Sequence, residues 1–143
     1  MRFRKSPCFL LVVTAATVIV STSAAEDAQI RITTVPRYDP IGGPNSSDHI
    51  EGRVIGVKPR DFRVVIYART DYWYVQPEIA NPMTPINKDG LWSATIHTGS
   101  RYAALLVRPT YNAPPKITVL PNESTDPNNI VASTELEGAK KGP

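Results

Sequence analysis

The sequence is poor in the residues that staple small proteins together. Its one cysteine, Cys8, lies near the N-terminus, so the rest of the chain has neither a disulfide framework nor thiol chemistry. It has two histidines, His49 and His97. They are far apart in sequence, and a metal centre would have to add carboxylates such as Asp48 or Glu51; no metal or cofactor site is expected. Uninterrupted helical windows are also scarce, because all but one of the 14 prolines fall beyond residue 25 and are spread along the chain. The longest apolar run, residues 8–20, is interrupted by Thr14 and Thr17. It is shorter than the roughly 20 residues a transmembrane helix needs.

What surrounds that run explains it. Arg2, Arg4 and Lys5 precede it with no acidic residue among them, and Ser21-Thr22-Ser23-Ala24-Ala25 follows, then Glu26-Asp27. Basic, apolar and small segments in that order form a secretory signal peptide. Ser23 and Ala25 fill the small-residue positions, which places cleavage after Ala25. No cysteine follows the small residues, so a lipid anchor is not expected. Of the 143 residues, 118 remain after cleavage, with 13 Lys plus Arg against 13 Asp plus Glu. The net charge of +3 therefore belongs to the leader. Without a retained basic face, nucleic acid is not an expected partner; the local group Lys58, Arg60 and Arg63 encloses Asp61 and reads as a solvated turn.

The mature part is built from short β-branched and aromatic runs between turn signals. Residues 30–35 alternate as a half-buried strand, and residues 50–57 form a second. Residues 62–70 are the most apolar strand, with the density of a central strand covered on much of both faces. Residues 91–98 put Trp92, Ala94 and Ile96 on one face after the Asn87–Gly90 turn, and residues 102–107 run back as an apolar strand. Residues 109–129, rich in Pro and Asn, are expected to loop over the surface, with a short strand at 117–120. Residues 130–136 add a closing strand, and 137–143 are expected to fray. The expected fold is all-β, a single small β-sandwich of about six to eight strands with no helix after the leader. Residues 26–47 supply its N-terminal strand and loop, and residues 48–136 the rest.

Four pieces in order carry a resemblance: Gly52-Arg53-Val54, Val65-Ile66-Tyr67, Asp89-Gly90-Leu91-Trp92 and Gly99-Ser100-Arg101-Tyr102. Over residues 48–110 the chain resembles the small Ig-like or transthyretin-like sandwich modules of bacterial extracellular proteins. These include modules appended to secreted carbohydrate-active enzymes, although no catalytic domain accompanies this one. The resemblance implies an exported accessory module, secreted or periplasmic. The two Asn-x-Ser sequons, at Asn45 and Asn122, would matter only in a eukaryotic source.

The densest aromatic cluster is Tyr72-Trp73-Tyr74. Exposed flat rings stack on sugars while neighbouring polar groups take the hydroxyls, so Asp71, Tyr72, Trp73, Tyr74 and Gln76 are the candidate ligand-binding residues. In an extended segment Trp73 and Val75 share one face, Tyr72 and Tyr74 the other, so one face can be core while the other binds. Tyr67, Trp92 and Tyr102 belong to structure on the same pattern. No nucleophile elbow or carboxylate pair is legible, so no catalytic residue is assigned. The reading is a non-catalytic binding module for a polysaccharide or surface glycan. The alternative is a structural or protein-interaction domain in which the aromatics are buried and a sheet edge engages a partner. A small hydrolase, the third reading, would need His49 or His97 beside a serine or carboxylate. Intact-mass measurement of the exported protein should give a chain beginning at Glu26; a product retaining residues 1–25 would make the leader an anchor.

Overall fold

The computed structural model describes residues 27–143; the leader lies outside the described residues. Two strands set the architecture, β3 (Arg63–Arg69) and β7 (Arg101–Val107), paired antiparallel from Arg63 opposite Val107 to Arg69 opposite Arg101. In numbering by chain order, β1 is Gln29–Thr34, β2 Ser47–Ile55, β4 Trp73–Gln76, β5 Met83–Thr84, β6 Leu91–His97, β8 Lys116–Ile117 and β9 Ile130–Glu137. They form two antiparallel sheets. The smaller has the order β1-β2-β6, and the larger β8-β4-β3-β7-β9, with β5 pairing β3 beyond the end of β4. The chain is a small β-sandwich, with a single 3₁₀ turn among the described residues, at Pro59–Asp61 where a turn is expected. Among the described residues nine short strands replace the six to eight read from sequence, because prolines split the partner of β3 into β4 and β5.

Side-chain alternation explains the layers. Val64, Ile66, Ala68, Tyr102, Ala104 and Leu106 face the small sheet and meet Ile30, Ile50, Val54, Trp92 and Ile96. The alternate residues Val65, Tyr67, Ala103, Leu105 and Val107 face the other way and form a second buried cluster. Each such large apolar side chain contributes roughly 1.5–3 kcal/mol when removed from water, so neither face of β3 or β7 tolerates solvent. The second face is covered by residues 108–129. Ala113 is buried in that cluster, and Tyr111, Ile117 and Leu120 pack on it. The Tyr67 hydroxyl donates to the Pro114 carbonyl at 2.7 Å. The segment expected to loop over the surface is therefore a strap that closes the second core. Its strand falls at Lys116–Ile117 rather than 117–120, because pairing with β4 sets its place.

The small sheet is thin and depends on one close approach. Register places Gly52 opposite Trp92, and the Trp92 indole, 2 % exposed, occupies the space a side chain at 52 would need. The tail is held further than expected. Glu137 ends β9, and Ala139 exchanges backbone hydrogen bonds with Pro36 and Tyr38, both at 2.8 Å.

Gly52→Ala forces a methyl into the indole and the Arg31 carbonyl, and should cost about 3 kcal/mol, read as a lower denaturation midpoint. Tyr67→Phe removes only the strap's hydrogen bond and should cost about 1 kcal/mol. It should also speed amide exchange at Val75, whose N–H donates to the Pro115 carbonyl. Equal effects on melting would place the strap inside the same cooperative core as Trp92.

Candidate functional site

The small sheet does not reach across the larger one. β6 lies over β3 and β5, so the inward face of β4 is left as a shoulder. Pairing sets Tyr74 beside Ala68 and Gln76 beside Ile66, turning both toward that shoulder. Trp73 and Val75 turn the opposite way, under the strap.

The five candidate residues consequently separate. Trp73 is 3 % exposed, with the Arg69 guanidinium 5.8 Å from its ring centre. Gln76 is 4 % exposed, and its Oε1 accepts the His97 backbone N–H at 3.0 Å. Both were candidates for solvent-facing ligand contacts; Trp73 instead fills the second core, and Gln76 caps the end of β6. Tyr72 and Tyr74 do face outward, but their rings meet edge to face at 83°, 6.5 Å apart. Lys116 from the strap sets its ammonium 4.0 Å from the Tyr72 ring centre and 5.8 Å from that of Tyr74. The cation takes up the electron-rich ring face, so the two tyrosines form no flat platform. Asp71 accepts from the Tyr74 hydroxyl at 2.9 Å, the Thr70 hydroxyl at 3.0 Å and the Tyr72 N–H at 3.0 Å. These bonds, that of Tyr74 first, hold its carboxyl below the usual range, and the same bond raises the Tyr74 phenol. All three bonds end on Oδ1, so Asp71 positions the tyrosines through one of its two carboxylate oxygens.

A groove of about 470 Å³ occupies the shoulder, with Ala68, Tyr74, Pro77 and His97 among its walls and Ile41 and Ile79 on its rim. These two isoleucines are 87 % and 73 % exposed, and each stands on a braced loop. Asp39 holds the first: its Oδ2 accepts from Ser46 at 2.6 Å and from Thr98 at 2.8 Å, its Oδ1 from the Gly42 N–H at 3.1 Å. Gly42 has φ +57°, and its backbone lies against the Thr98 carbonyl, where a Cβ would not fit. The hydroxyls of Ser46 and Thr98 hold the Asp39 carboxyl down to about 2. The second loop closes by Asn81 N–H donating to the Glu78 carbonyl at 3.2 Å, lifting Ile79 between. Sequence reasoning passed over both. The available signal was an isoleucine set among turn formers, in Pro40-Ile41-Gly42-Gly43-Pro44 and in Pro77-Glu78-Ile79-Ala80-Asn81-Pro82.

The histidines stay apart. His97 lines the groove, and its Nδ1 is buried without a hydrogen-bond partner among the described residues. His49 Nε2 lies 3.0 Å from Glu51 Oε1, and Glu51 Oε2 accepts from the Thr34 hydroxyl at 3.0 Å. A hydrolytic relay needs the imidazole between nucleophile and acid; here the carboxylate is in the middle and the imidazole at the end. No cluster of three or more metal-ligating side chains occurs among the described residues, and none of their helices is long and apolar enough to cross a membrane. A further hollow of about 490 Å³ lies beside the strap, with Arg69 and Glu135 in its walls. Comparison with family models, curated proteins and solved structures returns no match for this chain.

Because the folded-state pKa of Asp39 is depressed, the stability it adds is full above the unfolded value near 3.8. That stability is lost as pH falls toward about 2. Asp39→Asn should therefore melt below the wild type at neutral pH, and the gap should close across that acid range. A gap unchanged by pH would assign the brace to hydrogen-bond geometry rather than charge.

Proposed function

We propose that this chain is an exported, non-catalytic binding module that takes an apolar segment of a protein partner in the shoulder groove. The observation that carries the reading is the pair Ile41 and Ile79, both exposed and both lining one apolar hollow. Two large aliphatic side chains held in water are a standing cost, which a matching apolar surface on a partner relieves. Tyr74 and Pro77 supply rigid walls, which lose little entropy on binding. Neutral mature charge suits recognition by shape and apolar contact rather than by long-range steering.

The glycan reading keeps one supporting feature, the exposed Tyr72 beside the Asp71 loop, but edge-to-face rings beneath an ammonium are poor stacking partners. The resemblance to bacterial extracellular Ig-like or transthyretin-like modules, and a periplasmic or secreted location, belong to the same proposal. They are supported by the leader and by the order of the sequence pieces.

Two parallel assays test it. The mature protein is screened against a phage-displayed library of random nine-residue peptides, and it is also tested against a panel of insoluble polysaccharides. Peptide binders should emerge, and Ile79→Asp or Ile41→Asp should weaken them by at least about tenfold without altering the melt. Polysaccharide binding that disappears in Tyr72→Ala, with the melt unchanged, would instead establish the glycan reading.

A further inference from the structure

Apart from the two-residue β5, which pairs only β3, the two sheets end in four edges, and three of these are guarded. β1 carries Arg31 and a bulge between Ile32 and Thr34; β9 carries Glu135 and Glu137 and breaks register near its start; β8 is two residues long. Charge, bulges and shortness are the means by which sheets discourage added strands. β6 has none of them. Its seven residues, Leu-Trp-Ser-Ala-Thr-Ile-His, contain no Lys, Arg, Asp, Glu or Pro, and its register with β2 is unbroken.

The hydrogen-bond pattern shows what that edge offers. Thr98 N–H donates to Ser46 and Val54 N–H to Gly90, so in this antiparallel ladder the even-numbered residues of β6 bond to β2. The odd-numbered residues point their main-chain groups outward. Two of them are engaged: Leu91 with Asn87 and Asp89, and His97 with the Gln76 side chain. The N–H and C=O of Ser93 and Thr95 have no protein partner among the described residues, and both residues are exposed.

We infer that β6 accepts an extended segment of another protein as a fourth strand of the small sheet, bonded to the main chain of Ser93 and Thr95. The inference rests on the protein-binding reading and specifies its geometry. The small sheet has three strands where the larger spans five, so a strand added at β6 lies over β4, on the shoulder. Its inward side chains alternate with its outward ones, and one of them enters the groove beside Tyr74 and His97. A second copy of this chain does not fit. Antiparallel pairing of two β6 edges needs a two-fold axis normal to the sheet, which would bring the copy's own β4 and β8 into the same shoulder space. The occupant is therefore a single uncharged strand with alternating apolar residues, recognised by its backbone at the edge and by one side chain in the groove.

The experiment uses the peptides selected on the mature protein, each made also in forms N-methylated at single alternate positions. N-methylation deletes a main-chain donor while leaving the protein and the peptide side chains intact. One alternating set of methylations should cut affinity by about tenfold each and the other set should have little effect. The Ser93 and Thr95 amides should show slowed hydrogen exchange when peptide is bound. Thr95→Pro, which sacrifices no ladder bond, and the milder Thr95→Lys should both abolish binding. Binding that ignores every N-methylation and both Thr95 variants, yet fails in Ile79→Asp, overturns the added strand and leaves the groove reading standing. A library that yields no binders overturns both. Concentration-dependent dimerisation abolished by Thr95→Lys would overturn the choice of a foreign strand.

Discussion

The paired strands β3 and β7 are apolar on both faces, and the rest of the sandwich is organised by that demand. Tyr67 and Tyr102, large side chains of opposite orientation on these strands, are each 0 % exposed. Two separate covers are required, and the chain supplies them by different means. One is a regular three-stranded sheet; the other is a proline-rich strap with only two residues of strand. Because the three-stranded cover is narrower than the five-strand path of the sheet it faces, the larger sheet extends past the smaller one. The shoulder, its groove and the open side of β6 all arise from that mismatch.

The strand pattern was legible because it obeys period two. Trp92 and Ile96 were placed inward, and Trp73 was separated from Tyr72 and Tyr74 by alternation alone. The double cover of residues 62–70 followed from their apolar density, Val64 to Ala68 above all. The strap was not legible, since Tyr111, Ala113, Ile117 and Leu120 show no period and sit among prolines. Their burial depends on what lies beneath them, which local sequence does not encode. The five candidate residues separate for a related reason. Adjacent aromatic residues suggest one surface, yet a strand distributes them to two, and Lys116, distant in sequence, then settles over the outward pair.

The loops around the groove are held by polar bonds rather than by apolar packing. The Tyr102 hydroxyl, reached from the core, donates to the Arg37 carbonyl at 2.7 Å and accepts the Gly99 N–H at 2.9 Å. It thus fixes both chain segments that carry the Asp39, Ser46 and Thr98 cluster. Ile41 is therefore presented by a continuous series of bonds that begins inside the sandwich. A loop of Gly and Pro left to itself would average its conformation and lose the entropy on binding; a braced one has largely lost it beforehand.

An unguarded edge in a sandwich whose residues beyond 25 carry no net charge invites aggregation, so its persistence needs a physical reason. Geometry supplies one that does not depend on charge. The shoulder projects beneath the space beside β6 and blocks any second sandwich from closing on it, while an isolated strand can still lie there. The protection that β1 and β9 take from charged side chains and broken register, β6 takes from the overhang of the larger sheet. A charged residue at position 93 or 95 would guard the edge equally well against copies of the chain, but it would also exclude a single strand. Steric exclusion discriminates between the two and charge does not, which is why the bare edge and the overhang are best understood as one device.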